Sequence, residues 1–215
     1  MGVTNAASDA LGHWHVYGER VIYESPWVWL GQVDVEPPGG PRYWHHVVRL
    51  SQAAVIALLD DQERVLMLWR HRFVPDRWGW ELPGGLVDDG EEPAAAANRE
   101  LEEETGYRAG RVDPLVRFQP MPGTLDAEHH VFTGRDPRRV GEPTDLAEAA
   151  RVEWVPLASI PALIAAGDIW NAGSLVALPL LLRLALVAQA RRGAPSLTAC
   201  PAPEAGRRRP VPPAD

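Results

Sequence analysis

The chain has 215 residues, 46% hydrophobic and 23% charged, with a formal net charge of −8 at pH 7; these values suit one globular domain with appendages. The negative balance argues against a nucleic-acid-binding surface, so an anionic phosphate substrate would have to be met by a metal and by local arginines. A single cysteine, Cys200, rules out an intrachain disulfide and fits a reducing compartment.

Taken in chain order, residues 1–12 read as a flexible leader without the basic start and apolar stretch of a secretory signal, which makes a cytoplasmic location the expectation. Residues 13–50 read as an N-terminal strand region: 15–35 alternate in strand fashion with a break at Ser25-Pro26, and 43–50 return after a Pro-Gly turn. Residues 51–192 form the main domain. Within it, 53–59, 64–70 and 78–82 read as strands, and the last of these leads into a tight glycine turn at Pro83-Gly84-Gly85. An alanine-rich helix follows and ends at Thr105-Gly106. Residues 115–119 and 129–133 read as strands, 136–144 as a polar loop, 151–155 as a strand, and 158–166 and 174–190 as helices. Strands and helices mix without a βαβ rhythm, which predicts an α+β fold. The longest apolar run, 175–187, is broken by Pro179 and Arg183 and is too short to cross a bilayer. Residues 193–215, rich in Pro, Ala and Arg, read as a disordered tail.

The chemistry concentrates on the alanine-rich helix. At about 100° per residue, Glu100, Glu103 and Glu104 share one face and Glu102 points elsewhere. Like charges at these spacings repel by roughly 0.2–0.5 kcal/mol per pair, and they lie near the end of the helix where its dipole prefers cations. A hard divalent cation bound by carboxylate oxygens would turn the repulsion into binding; a solvated acidic face is the plainer alternative. The histidines at 13, 15, 45 and 46 lack a further ligand at metal spacing.

Residues 85–107 carry a fuller pattern: Gly85, Glu91, Arg99-Glu100-Leu101, Glu103-Glu104 and Gly106-Tyr107. At all of these positions the chain resembles the Nudix hydrolases. The resemblance implies an α/β/α sandwich with a mixed sheet and a Mg²⁺ or Mn²⁺ cofactor. Glu100, Glu103, Glu104 and the backbone carbonyl of Gly84 would hold the metal, Glu103 and Glu104 would be catalytic, and Glu91 and Arg99 would form a structural ion pair. The implied reaction is water attack on the diphosphate of a nucleoside diphosphate linked to another moiety.

The flanks resemble ADP-ribose pyrophosphatases and related nucleotide-sugar hydrolases over roughly residues 15–190. The similar stretches are Trp69-Arg70-His71-Arg72, Trp80 through Gly85, Met121-Pro122-Gly123 and the closing helix. Gly84 and Met121 stand where alanine and serine are common in that subgroup. Arg72 matches its phosphate-binding arginine, with Arg70 as the competing candidate on the same strand face. Glu148 falls where its general base lies, with Asp145 and Glu142 nearby, and Glu128 falls at another acidic position near the substrate. Trp27, with Trp29, is a candidate nucleobase platform, set against packing in a core or subunit interface. The N-terminal strands resemble those that build a homodimer. A nucleoside triphosphate pyrophosphohydrolase and a non-catalytic nucleotide-sugar sensor are the rival functions; neither these nor the leading one involves nucleic acid or a membrane.

Overall fold

A computed structural model describes residues 12–144 and 150–193. Strands β1 (His15–Glu24), β2 (Trp29–Glu36) and β3 (Tyr43–Arg49) form an antiparallel meander, as their alternation predicts. β4 (Ala53–Leu58) then enters a second sheet, and β5 (Arg64–Arg72) and β6 (Arg77–Glu81) make a hairpin in a third. β7 (Gly84–Leu86) precedes helix α1 (Pro93–Thr105). β8 (Tyr107–Phe118), β9 (Leu125–Asp126), β10 (His129–Arg139) and β11 (Arg151–Pro156) follow. A single 3₁₀ turn leads into α2 (Ile160–Ala166), and α3 (Ala172–Gly193) ends the described chain.

The central sheet has the order β7-β4-β10-β8, with β10 parallel to β4 and antiparallel to β8, so it is mixed. The third sheet, β11-β5-β6, meets it where Leu59 bridges to Val65. β9 pairs in parallel with β3, tying the N-terminal sheet to the main domain.

β4 shows why the layers stack as they do. Ala54, Ile56 and Leu58 face one way and pack with Ala96, Ala97 and Leu101 of α1. Ala57 and Leu59 face the other way, into a core shared with Ile160 of α2 and Ala177, Leu178 and Leu181 of α3. Strand periodicity thus puts helices on both sides, giving an α/β/α sandwich of the α+β class. The alanines of α1 let its axis approach the sheet closely, and Leu101, fully buried, fixes its depth.

Two expected elements differ. The supposed glycine turn at 84–85 is a short edge strand, in register with β4 as Val55↔Gly84 and Ala54↔Gly85. Residues 136–139 of the expected loop and the expected short strand at 115–119 belong instead to one long ladder, with Pro137 opposite Ala109 and Arg139 opposite Tyr107, while 140–144 carry no strand. Pro137 is tolerated because β10 is paired with β4 only as far as Gly134, so the missing N–H breaks no bond on that side. Among the described residues no helix is long and apolar enough to cross a membrane.

Candidate active site

Helix α1 starts with Pro93 in its first turn and stops at Gly106, which takes a left-handed φ of 73° and donates its N–H to Glu102 O at 2.8 Å. Its acidic face lies along β7. A Cβ on Gly85 would overlap the Glu100 carboxylate, and one on Gly84 would overlap the carbonyl of Ala54. Gly85 therefore provides room for the helix and Gly84 for the neighbouring strand β4.

Glu104 is buried, at 4% exposure, as is Arg70 at 2%, and the two form an ion pair. Glu104 also accepts the Gly84 N–H at 2.9 Å. Burial pushes its pKa up to about 7; the charge and hydrogen bond of Arg70 and the Gly84 N–H pull it down, and the nearby Glu100 charge adds to the rise. Arg70 was an expected phosphate contact. The structure corrects this: its buried guanidinium pairs with Glu104 and is not among the groups that border the cleft.

Arg99 reaches further than a simple pair with Glu91. Its Nε donates to Glu91 Oε1 at 3.0 Å and its Nη2 to Glu91 Oε2 at 3.0 Å. The same guanidinium donates through Nη1 to Glu100 Oε1 at 2.7 Å and to Glu103 Oε2 at 3.1 Å. Arg99 holds the Glu91 carboxyl below its usual range, and Glu91 in turn stabilises the charged guanidinium. Among the described residues no three acidic, histidine or cysteine side chains are gathered into a cation cage. Glu100 and Glu103 are turned towards Arg99, and Glu104 towards Arg70. The donor chemistry nevertheless fits a hard divalent ion: three carboxylates on one helical face beside a backbone strand, all oxygen.

These carboxylates border a cleft of about 930 Å³, which also includes Arg72, Glu81, Gly84 and Gly85. Arg72 donates from Nε to both Glu81 oxygens at 3.2 Å and from Nη2 to Oε2 at 2.8 Å. Glu81 is buried while the Arg72 side chain is 43% exposed, so an anchored guanidinium faces the opening. Sequence reasoning gave no role to Glu81, Phe73, His129 or Trp170, all of which border the cleft. Glu81 lies within the Trp80–Gly85 stretch that carries the family resemblance, and the apolar Phe-Val-Pro run is the signal for Phe73. His129 packs on Phe118, with its pKa lowered by burial and then by His130.

Other expected residues lie elsewhere. Trp27, 72% exposed, sits in the β1–β2 turn and does not border the cleft. Glu128 lies beside the cleft and faces His130 at 3.2 Å and Arg117 at 3.9 Å. Glu142 is paired with Arg139. Glu148 and Asp145 fall outside the described residues, as do the tail after Gly193 and the leader before Gly12. Thr144 donates to Glu103 O at 2.9 Å and Ala150 to Trp69 O at 2.9 Å, so both flanks of 145–149 are anchored near the acidic helix and β5.

The NUDIX domain model matches residues 49–176, more than half of the chain. The chain belongs to the Nudix family. It is 46% identical over 171 residues to the CMP-5'-(N-acetyl-N-hydroxy-3-aminopropyl)phosphonate hydrolase of Streptomyces rubellomurinus, covering 80% of this chain and 83% of that protein. It is 33% identical over 159 residues to the ADP-ribose pyrophosphatase of Bacillus subtilis, covering 73% and 86%. It is also 35% identical over 145 residues to that of Mycobacterium tuberculosis, covering 66% and 70%. A solved ADP compounds hydrolase shares the fold at a TM-score of 0.72 and 22% identity, covering 84% of this chain and 98% of that one. The chain is thus a Nudix pyrophosphatase, a hydrolase of phosphoanhydride bonds from a family that generally needs a divalent metal.

Proposed function

We propose that this enzyme hydrolyses the diphosphate linkage of ADP-ribose or a similar nucleoside diphosphate sugar. The observation that carries this reading is a single cleft with the acidic face of α1 on one side and the anchored Arg72 on the other. Glu100, Glu103, Glu104 and the Gly84 carbonyl would hold Mg²⁺ or Mn²⁺. When bound, the metal supplies charge neutralisation at the phosphates and acidifies bound water.

The protein's own groups do the rest. Arg72 pairs its planar fork with phosphate oxygens and orients the anhydride. Arg70 is a positioning residue that holds Glu104. Glu148 takes the proton from the attacking water; the support for it is that Thr144, four positions earlier in the chain, donates its N–H to Glu103 O on the acidic helix. The oxygen of water bonds to one phosphorus, the bridging P–O bond breaks, and two phosphorylated products leave. Glu128, just outside the cleft, is a flanking substrate contact. We further propose that the enzyme works in the cytoplasm as a homodimer built on its N-terminal sheet, and that Trp27 reaches substrate across that interface.

A second reading is favoured by the 46% identity to a CMP-phosphonate hydrolase: the second phosphorus is a phosphonate and the nucleotide is CMP. A screen with Mg²⁺ or Mn²⁺ over ADP-ribose, other nucleotide sugars, a CMP–alkylphosphonate anhydride and nucleoside triphosphates, with products identified, decides between them. Preferred turnover of ADP-ribose supports the first reading. Preference for the phosphonate supports the second, and release of pyrophosphate from triphosphates overturns both.

A further inference from the structure

We propose that the nucleobase of the substrate rests on Phe73 and Trp170, held by its flat face and not by its edges. This rests on the nucleotide-conjugate reading above. Phe73 and Val74 are 84% and 82% exposed at the tip of the β5–β6 hairpin, and both border the catalytic cleft. Phe73 directly follows Arg72, so a phosphate held by that arginine lies next to an uncovered aromatic ring. The tip is not slack. Asp76 donates its N–H to Phe73 O at 3.2 Å, and its carboxylate meets His71 Nε2 at 3.0 Å.

Trp170 borders the same cleft from the segment before α3. Its indole lies over Gly79, where a Cβ would overlap the ring nitrogen. Its N–H donates to Trp78 O at 3.0 Å, and the Arg77 guanidinium sits 5.4 Å from its centroid. The ring is fixed before any ligand arrives, so little ordering remains to be done on binding. The other aromatic rings bordering the cleft are otherwise engaged: His71 is tied to Asp76, and His129 packs on Phe118.

The same wall offers little with which to read a base edge. Phe73, Val74 and Pro75 carry no side-chain donor or acceptor. Asn171, the polar neighbour of Trp170, already spends one acceptor and one donor position on the fold: its Oδ1 accepts the Ser174 N–H at 2.9 Å and its Nδ2 donates to Trp80 O at 3.3 Å. Stacking without edge recognition tolerates any base, since every base has a π-face. Purine and pyrimidine nucleotides are therefore accepted alike.

The test is the binding of AMP, CMP and ribose 5-phosphate, measured with Mg²⁺ present, to the wild type and to the Phe73→Ala and Trp170→Leu variants. The wild type is expected to bind AMP and CMP within about fivefold of each other and more tightly than ribose 5-phosphate, and each variant to weaken both nucleotides about tenfold while leaving the sugar phosphate unchanged. Trp170→Leu removes a packed ring and could disturb the wall, whereas Phe73→Ala trims an exposed tip and stands as the independent check. Weakening of ribose 5-phosphate alone would assign the wall to the sugar half. Unchanged binding, or a wild type that separates AMP from CMP by orders of magnitude, would also overturn the inference. A wild type that binds neither nucleotide would overturn the nucleotide-conjugate reading itself.

Discussion

Glu103 and Glu104 stand next to each other in the chain but in different surroundings. The Glu103 side chain is 45% exposed and, among the described residues, its carboxylate pairs with Arg99, so Glu103→Gln is expected to fold normally. Its kcat should fall by roughly a hundredfold or more if the carboxylate holds the catalytic metal; steady-state kinetics alongside a thermal melt would check both halves. Glu104 is buried, and its proton competes with any cation. Because its pKa lies at about 7 without metal, metal affinity should rise as pH climbs through 7 and weaken below it, approaching a tenfold loss per pH unit. Calorimetric Mg²⁺ or Mn²⁺ titrations at pH 6, 7 and 8 would show this; a flat profile would mean that Glu104 is not a ligand.

At the scale of elements, the contact between α1 and β7 sets the site. Gly85→Ala places a methyl group where the Glu100 carboxylate lies. Activity is expected to drop at least about tenfold through displaced ligand geometry, with a much smaller effect on the melting temperature, as a kinetic and thermal comparison would reveal. The helix and its glutamates were legible because 3.6-residue spacing alone determines which side chains share a face. Arg70 was not. It and Arg72 share a strand face, yet the first is buried against Glu104 and the second borders the cleft, and that pairing is tertiary information. The same limit hid β10, whose continuation past Asp136 depends on a partner strand that begins at Tyr107. Trp170 was missed because its place depends on Gly79, 91 positions earlier in the chain.

At the scale of the whole molecule, the N-terminal sheet is the least finished surface. Every residue of β1 is exposed, including Val16 at 60%, Ile22 at 54% and Tyr23 at 56%. A ten-residue edge strand with apolar side chains invites pairing, and a second copy of the chain is the proposed cover. Replacing Val16 and Ile22 together by Glu should convert a dimer to monomers in light scattering. A wild type that is already monomeric would remove that proposal while leaving the chemistry of the cleft untouched.

The guanidinium of Arg99 spans Glu91, Glu100 and Glu103, so α1 carries a permanent counter-ion of its own. Loading and stripping the cation then become questions of catalysis rather than of survival, unlike in small domains that unfold without their metal. Dialysis against EDTA should abolish turnover, shift the melting temperature by only about a degree or two, and be fully reversed by adding Mg²⁺ or Mn²⁺. Such an enzyme would idle, folded and intact, whenever free divalent ions run low, and resume as they return.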